Sequence, residues 1–496
     1  MRRTDRLIQL GGLLTILLYF FGLVSPSLSG YFVPDDLMNL YRSWANPVTM
    51  LVKANVLFFW ASPFYRPFPS VWYRLVFHFA GFQPFAFHAS YLIVLLANLL
   101  LTYAVLRKIC TPKEAALVTT LLGSYYRRLN YVYFDTSYVY DTLCYTFYFG
   151  AFLLYARVRQ RQQWPGAGDL TLFSLLYVSA LNSKEMAVTM PLVLLSYELV
   201  FHPPRFRRAG EIARWILREG RAAIASGIIT VVFVIGRLTG ANSLAAIPGY
   251  RPQLTWERFM ETNRHFLGEL IPMNIAWTDV RVLALVGVLA VVAWAARSKA
   301  LRFAWLFVVL SPLPIAFIPP RGLGQYYIPC FGWTLYCGTA LVLTIAWFTR
   351  KLPVDPVALE RVRGPLLLLS LAIALYPYYR HKGSDNVASV NLEGPLIRDA
   401  AQQLRELYPH FQPGSRLLFL DDPFKPDRYD LTFLVRLLYQ DDSLVVDRVK
   451  NLGNGPAPPE LAAYDHVFDY REGRFVEQKR AWPPGLTHGL RWTLER

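Results

Sequence analysis

Charge is scarce in this chain: 17% of its 496 residues are Asp, Glu, Lys or Arg, against 54% hydrophobic. The apolar residues come in long blocks rather than short alternating patches, which excludes an ordinary soluble domain. Cysteine is scarce too. Cys110, Cys144, Cys330 and Cys337 all fall in or beside those blocks, so the sequence shows neither a disulfide framework nor a zinc spacing. Internal repeats and low-complexity segments are missing. Acids are outnumbered by bases, 34 to 51, for a formal net charge of +17. The surplus lies in loops at the ends of apolar blocks while the C-terminal stretch is balanced, so membrane topology accounts for it better than a nucleic-acid partner does.

What is present is a series of apolar blocks, at 7–24, 88–106, 114–124, 141–156, 169–183, 186–201, 221–237, 278–296, 302–318, 326–348 and 364–379. Set against the ~20 residues that cross a bilayer, they predict a polytopic α-helical membrane protein with about eleven transmembrane helices. The first block follows "MRRTDR" and can also be read as a signal peptide cleaved in "SPSLSG"; either reading leaves the next loop on the far side. Every second loop is basic, "RKICTPK" (107–113), "RVRQRQ" (157–162) and "RSKALR" (297–302) among them. Cytoplasmic loops retain Lys and Arg, which predicts a cytoplasmic N-terminus and puts the alternate loops and the C-terminus outside.

Residues 1–379 read as the transmembrane domain, with longer outer loops at 29–87 and 238–277, and 380–496 as a small extracytoplasmic α/β domain. In the first outer loop, "PVTMLVKANVLFFW" (47–60) mixes apolar residues with one lysine, as a helix lying on the membrane does. In the C-terminal stretch, 393–408 and 429–440 have helical spacing, "SRLLFLDD" (415–422) and "SLVVDRVK" (443–450) read as strands, and 465–478 reads as a hairpin turning at "REG". This stretch contains no glycine-rich phosphate loop and no Ser/His/Asp arrangement. Asp421 and Asp422 close a strand, where turn preference explains them better than a site does.

The polar residues in the apolar part are fewer and more telling. "SGYFVPDDLMNLY" (29–41) sets Asp35 and Asp36 after Pro34, where a helix N-cap with a second acid in the first turn is the plain reading, although capping needs only one. A partly buried acid there is also placed to act as a general base. Arg66 is pinned by Pro67; Arg74 reads as an arginine reaching lipid headgroups, and His88 opens a span. A second outer loop offers Arg127, Arg128, Asp135 and Asp141, with Asp141 placed as an N-cap. In "LNSKEMAVTMPLVLLSYEL" (181–199), Lys184 and Glu185 sit at a tight turn between apolar blocks, where an unsatisfied charge costs a few kcal/mol. Ser183 as N-cap explains Glu185, but a cation at a helix start is unfavourable, and a phosphate held there would resolve the conflict. Arg321 lies in an outer turn before Tyr326, Tyr327 and Pro329.

Together "PDDLMNLY", "YRPF", a following "FH", "SKEMAVTMPLVLLSYE" and "YIPCFG" resemble, in order, the GT-C superfamily of membrane glycosyltransferases. The similar families are the protein O-mannosyltransferases and the transmembrane and TPR-containing O-mannosyltransferase-like proteins, though this chain has no TPR repeats. The resemblance covers most of 1–379. It implies a GT-C-like fold in a bacterial inner membrane, and transfer of a sugar with inversion, at the outer face, from a polyprenyl-phosphate donor to an acceptor hydroxyl. It makes Asp36 or Asp35 the base, assigns Lys184, Glu185, Arg66 and Arg321 to the donor phosphate, and leaves Asp141, Arg128 and His88 for an acceptor or second-loop site. Arg321 stands farther from "YIP" than the pattern has it. The acceptor, whether protein, lipid or polysaccharide, and the sugar stay open.

Two carboxylates could hold magnesium or manganese, but two acids alone make a poor site, so the use of a divalent metal is left open too. The rival classes are a transporter or flippase, which would carry charges mid-membrane in repeated broken helices, and a membrane scaffold, in which the outer charges would be dispensable.

Overall fold

The structure is a computed structural model that describes residues 3–59, 66–110, 112, 114–161, 166–203, 209–239, 248–271, 273, 275–350, 356–381, 392–451 and 463–478. It divides into two compact units. One comprises Met1–Leu28, Val48–Pro69 and Ala89–Val390, and the other Ser29–Pro47, Ser70–His88 and Asn391–Arg496. The division differs from the expected boundary at 380: much of the segment 29–87 groups with the C-terminal residues instead of with the transmembrane part.

The first unit is helical. Among the described residues five helices, lying wholly or mostly in this unit, are long and apolar enough to cross a membrane: Arg6–Ser29, Pro84–Ile109, Lys299–Ala316, Leu323–Thr349 and Val362–His381. A sixth would be the pair Ala213–Glu219 and Arg221–Arg237, bent by 78°. Exposed Leu7, Leu10, Leu14, Leu18 and Phe21 recur at helical spacing along the first helix. Such a stripe is costly in water and suits lipid, so this is a membrane protein.

The expected count of eleven crossings is not met, and the reason differs by block. The block at 114–124 is a helix of 11 residues, Glu114–Ser124. The block at 186–201 starts as a 3-10 turn, Glu185–Thr189, and leaves only 12 residues of α-helix, Met190–Phe201. Ala167–Ser183 and Asp279–Ala295 have 17 residues each, one short of the length required. Val139–Gln160 is long enough but carries Asp141, two arginines and four tyrosines. Most of its residues are buried by other protein segments. Hydropathy reports what a helix must hide from water, and a helix enclosed by protein is free to be polar.

Close approach between helices of this unit relies on small residues. A Cβ placed on Gly338 in Tyr327–Thr349 would meet the Thr119 hydroxyl in Glu114–Ser124 and lie 2.9 Å from both its Cα and its Cβ, so turning the side chain away would not relieve the clash. Gly338→Ala is expected to cost about 1–3 kcal/mol by overpacking. A thermal-melting shift in detergent checks this, and an unshifted melt would show that the two helices are not in contact there.

In the second unit, the elements expected of the C-terminal stretch are found. A four-stranded sheet is ordered β2-β1-β3-β4, with β1 Arg416–Phe419, β2 Val445–Arg448, β3 His466–Arg471 and β4 Arg474–Glu477. β1 is central and parallel to both β2 and β3, and its Leu417, Leu418 and Phe419 are all buried, as in a strand covered on both faces. The helix Asp430–Tyr439 makes the crossover from β1 to β2. β3 and β4 form an antiparallel hairpin whose turn residues, Glu472 and Gly473, have φ of 49° and 80°. Positive φ at both central positions is what a tight hairpin turn requires.

Asp422, which follows β1, is fully buried against Arg448 at the end of β2; the guanidinium donates two hydrogen bonds to the carboxylate at 2.8 and 2.7 Å. The turn reading holds as well, because the Phe424 N–H donates to Asp422 Oδ1 at 2.8 Å.

The helix Pro34–Ala45 packs on Asp430–Tyr439 within the second unit. The Tyr41 ring stacks on Phe433 at 5.0 Å and its hydroxyl donates to Asp442 at 2.6 Å. Arg74 closes the end of that helix by donating to the carbonyls of Ser43, Trp44 and Asn46. A cation at a helix C-terminus is favourable, so this arginine has a structural task and is not a headgroup anchor.

Candidate active site

Pro34 opens the helix that carries the two acids, which suits its fixed φ and missing N–H. Asp36 lies two residues on, with a 1% exposed side chain: the Val33 N–H donates to Oδ2 at 3.2 Å and the Tyr73 hydroxyl to Oδ1 at 2.8 Å. The N-cap position itself is Val33, so neither acid is the expected N-cap; Asp36, in the first turn, closes the helix start by reaching back to the Val33 N–H. Asp35 is exposed and makes no hydrogen bond among the described residues. Its field acts on Arg428, which pairs with Glu393 at 3.3 Å and Asp430 at 3.2 Å. Burial pushes the Asp430 carboxyl above its ordinary value, against the pull of the Arg428 guanidinium. His88 belongs to the same unit and is buried, 2% exposed.

In the other unit, Lys184 and Glu185 each have a partner on a different segment. The Lys184 ammonium, 4% exposed, donates to both oxygens of Asp141 at 2.5 and 2.6 Å. Asp141 sits in the first turn of Val139–Gln160, whose N-cap is Tyr138, so it is an ion-pair partner and not the expected cap. Lys184 itself ends the helix Ala167–Ser183 in extended conformation, and the conflict that seemed to call for a phosphate is resolved by Asp141. Glu185 accepts a forked pair from Arg66, Nε at 3.1 Å and a terminal nitrogen at 2.8 Å on the same oxygen, with Nε also 3.3 Å from the other. The Arg66 guanidinium lies 5.7 Å from the centre of the Tyr140 ring, one residue from Asp141. Two adjacent residues of one turn thus anchor two ion pairs.

Arg321 is engaged elsewhere, donating to the Gly249 carbonyl with its guanidinium 4.3 Å from the centre of the Tyr250 ring. Arg128 lies on the wall of a cavity of about 800 Å³, with Arg127, Tyr126, Tyr131, Tyr138 and Glu269. Among the described residues no three His, Cys, Asp or Glu side chains gather as a metal site. With Asp36 spent on Val33 and Tyr73, the acidic pair is not a ready chelate either.

No protein-family model matches this chain, and no curated protein is similar to it in sequence.

One cluster escaped the sequence reading. Arg159, 5% exposed, donates to Glu198 at 2.8 Å and to Glu219 at 2.6 Å, and Tyr155 donates to Glu198 at 2.6 Å. Arg159 stands in a basic run that also serves orientation, which hid its role. Glu219 ends the first half of the bent helix pair, so Arg159 ties that bend to Val139–Gln160.

Proposed function

We propose that this chain is a membrane glycosyltransferase of the GT-C type, moving a sugar from a polyprenyl-phosphate donor to an acceptor hydroxyl outside the membrane. The observation that carries the reading is the pair of ion pairs around Lys184 and Glu185. Four charges are held together, 4–20% exposed, in a helical membrane unit. Burying them costs several kcal/mol per ion before pairing, and apolar residues would pack there at less cost. A chain that retains them uses their field, and a departing lipid phosphate is the anion that the resemblance suggests.

In this chemistry an aspartate accepts the proton of the acceptor hydroxyl as its oxygen attacks the anomeric carbon. The bond from that carbon to the phosphate oxygen breaks with its electron pair going to the phosphate, and the configuration inverts. The leaving group is already an anion and needs no proton. Of the two candidates, Asp35 is the base, because a base must reach the incoming hydroxyl, and Asp36 holds the helix start that presents it. Expectations for the two variants differ accordingly. Asp35→Asn should abolish release of polyprenyl phosphate by the purified protein with the melting temperature unchanged, whereas Asp36→Asn should lower both. The assignment fails if Asp35→Asn turns over like wild type.

A further inference from the structure

Lys184 and Arg66, the cations assigned to the donor phosphate, are occupied by Asp141 and Glu185. Arg127 and Arg128, in contrast, form no ion pair among the described residues, and both line the cavity of about 800 Å³. That volume falls in the roughly 300–1,000 Å³ range of small-molecule sites. Two guanidiniums suit a phosphate, which they can bind through paired N–H donors. The rest of the wall does not suit a bare anion. Glu269 would repel one; it lies on the same wall, with its Oε1 3.4 Å from His265 Nε2. A carboxylate of this kind accepts from hydroxyl groups. Tyr126, Tyr131 and Tyr138 add rings with an apolar face and a polar tip. Gly324 is needed for the Tyr138 ring to lie where it does, since a Cβ there would meet the Tyr138 Cζ at 2.8 Å.

We infer that this cavity binds a glycosyl phosphate, with Arg127 and Arg128 on the phosphate and Glu269 and the tyrosines on the sugar. That the glycosyl phosphate is carried on a polyprenyl lipid rests on the function proposed above; a soluble sugar phosphate would present the same groups.

The test is equilibrium binding of a radiolabelled polyprenyl-phosphate sugar to the purified full chain. Competitors are bare polyprenyl phosphate, a free sugar 1-phosphate and phosphatidylglycerol. Changing Arg127 and Arg128 together to Gln should weaken binding about a hundredfold, as two charge-assisted contacts are lost, and changing both to Lys should retain most of it. Glu269→Gln should weaken the glycosylated ligand and leave bare polyprenyl phosphate unaffected. Unchanged affinity in the double Gln variant overturns the cavity assignment, as does phosphatidylglycerol competing as well as the lipid-linked sugar.

The two proposals fail separately. Equal competition by free sugar phosphate keeps the cavity and removes the lipid-linked donor. Turnover that survives the double Gln variant with KM unchanged, yet is lost in Asp35→Asn, keeps the glycosyltransferase and removes the cavity.

Discussion

Lys184→Met is expected to destabilise the membrane unit by about 3–5 kcal/mol, because it leaves the Asp141 carboxylate buried without its cation. Both groups are within a few per cent of full burial, so water cannot take the place of the missing partner. The informative comparison is the double variant Lys184→Met with Asp141→Leu, which removes both charges and fills the space with apolar atoms. Replacing a buried pair in this way is often neutral or stabilising, so the melting temperature should return close to that of wild type. Turnover should not return if the field of the pair serves the reaction. A double variant that is both stable and fully active would reduce the cluster to a structural device and remove the observation on which the proposed function stands.

Asp422→Ala is expected to cost a similar amount, about 3–5 kcal/mol, in the second unit. Arg448 is the largest fully buried side chain among the described residues, and Asp422 supplies its charge balance. The carbonyls of Phe424 and Lys425 also accept from the guanidinium and would remain, but they carry no net charge. A small domain has only about 5–15 kcal/mol of stability to lose, so the loss should open 392–451 and 463–478 to limited proteolysis in the intact protein. Asp421 provides the control. It pairs with Lys450 at 2.7 Å but is half exposed, and Asp421→Ala should cost no more than about 1 kcal/mol. Equal cleavage in the two variants would refute the distinction between the neighbouring aspartates.

Local patterns carried a good part of this structure. Apolar blocks marked the helical membrane unit, Pro34 with its acids marked a helix start, and short apolar runs with "REG" marked the C-terminal strands and their hairpin. These features depend on residues within a turn or two of one another, where backbone geometry and side-chain period act directly. The number of crossings was not legible in the same way, because a block enclosed by protein and a block facing lipid can have the same composition.

The partners of the charged residues were decided only by the tertiary structure. Lys184 meets Asp141 across 43 positions, Glu185 meets Arg66 across 119, and Arg448 meets Asp422 across 26. The hydrogen bonding of the acidic pair is of the same kind: the sequence puts two carboxylates in one helical turn, and Tyr73, 37 positions away, donates to Asp36. A buried charge must find an opposite charge or a hydrogen-bond donor, but nothing local states which one. That is settled when packing brings distant segments to within 3 Å or so and excludes the water that would otherwise serve.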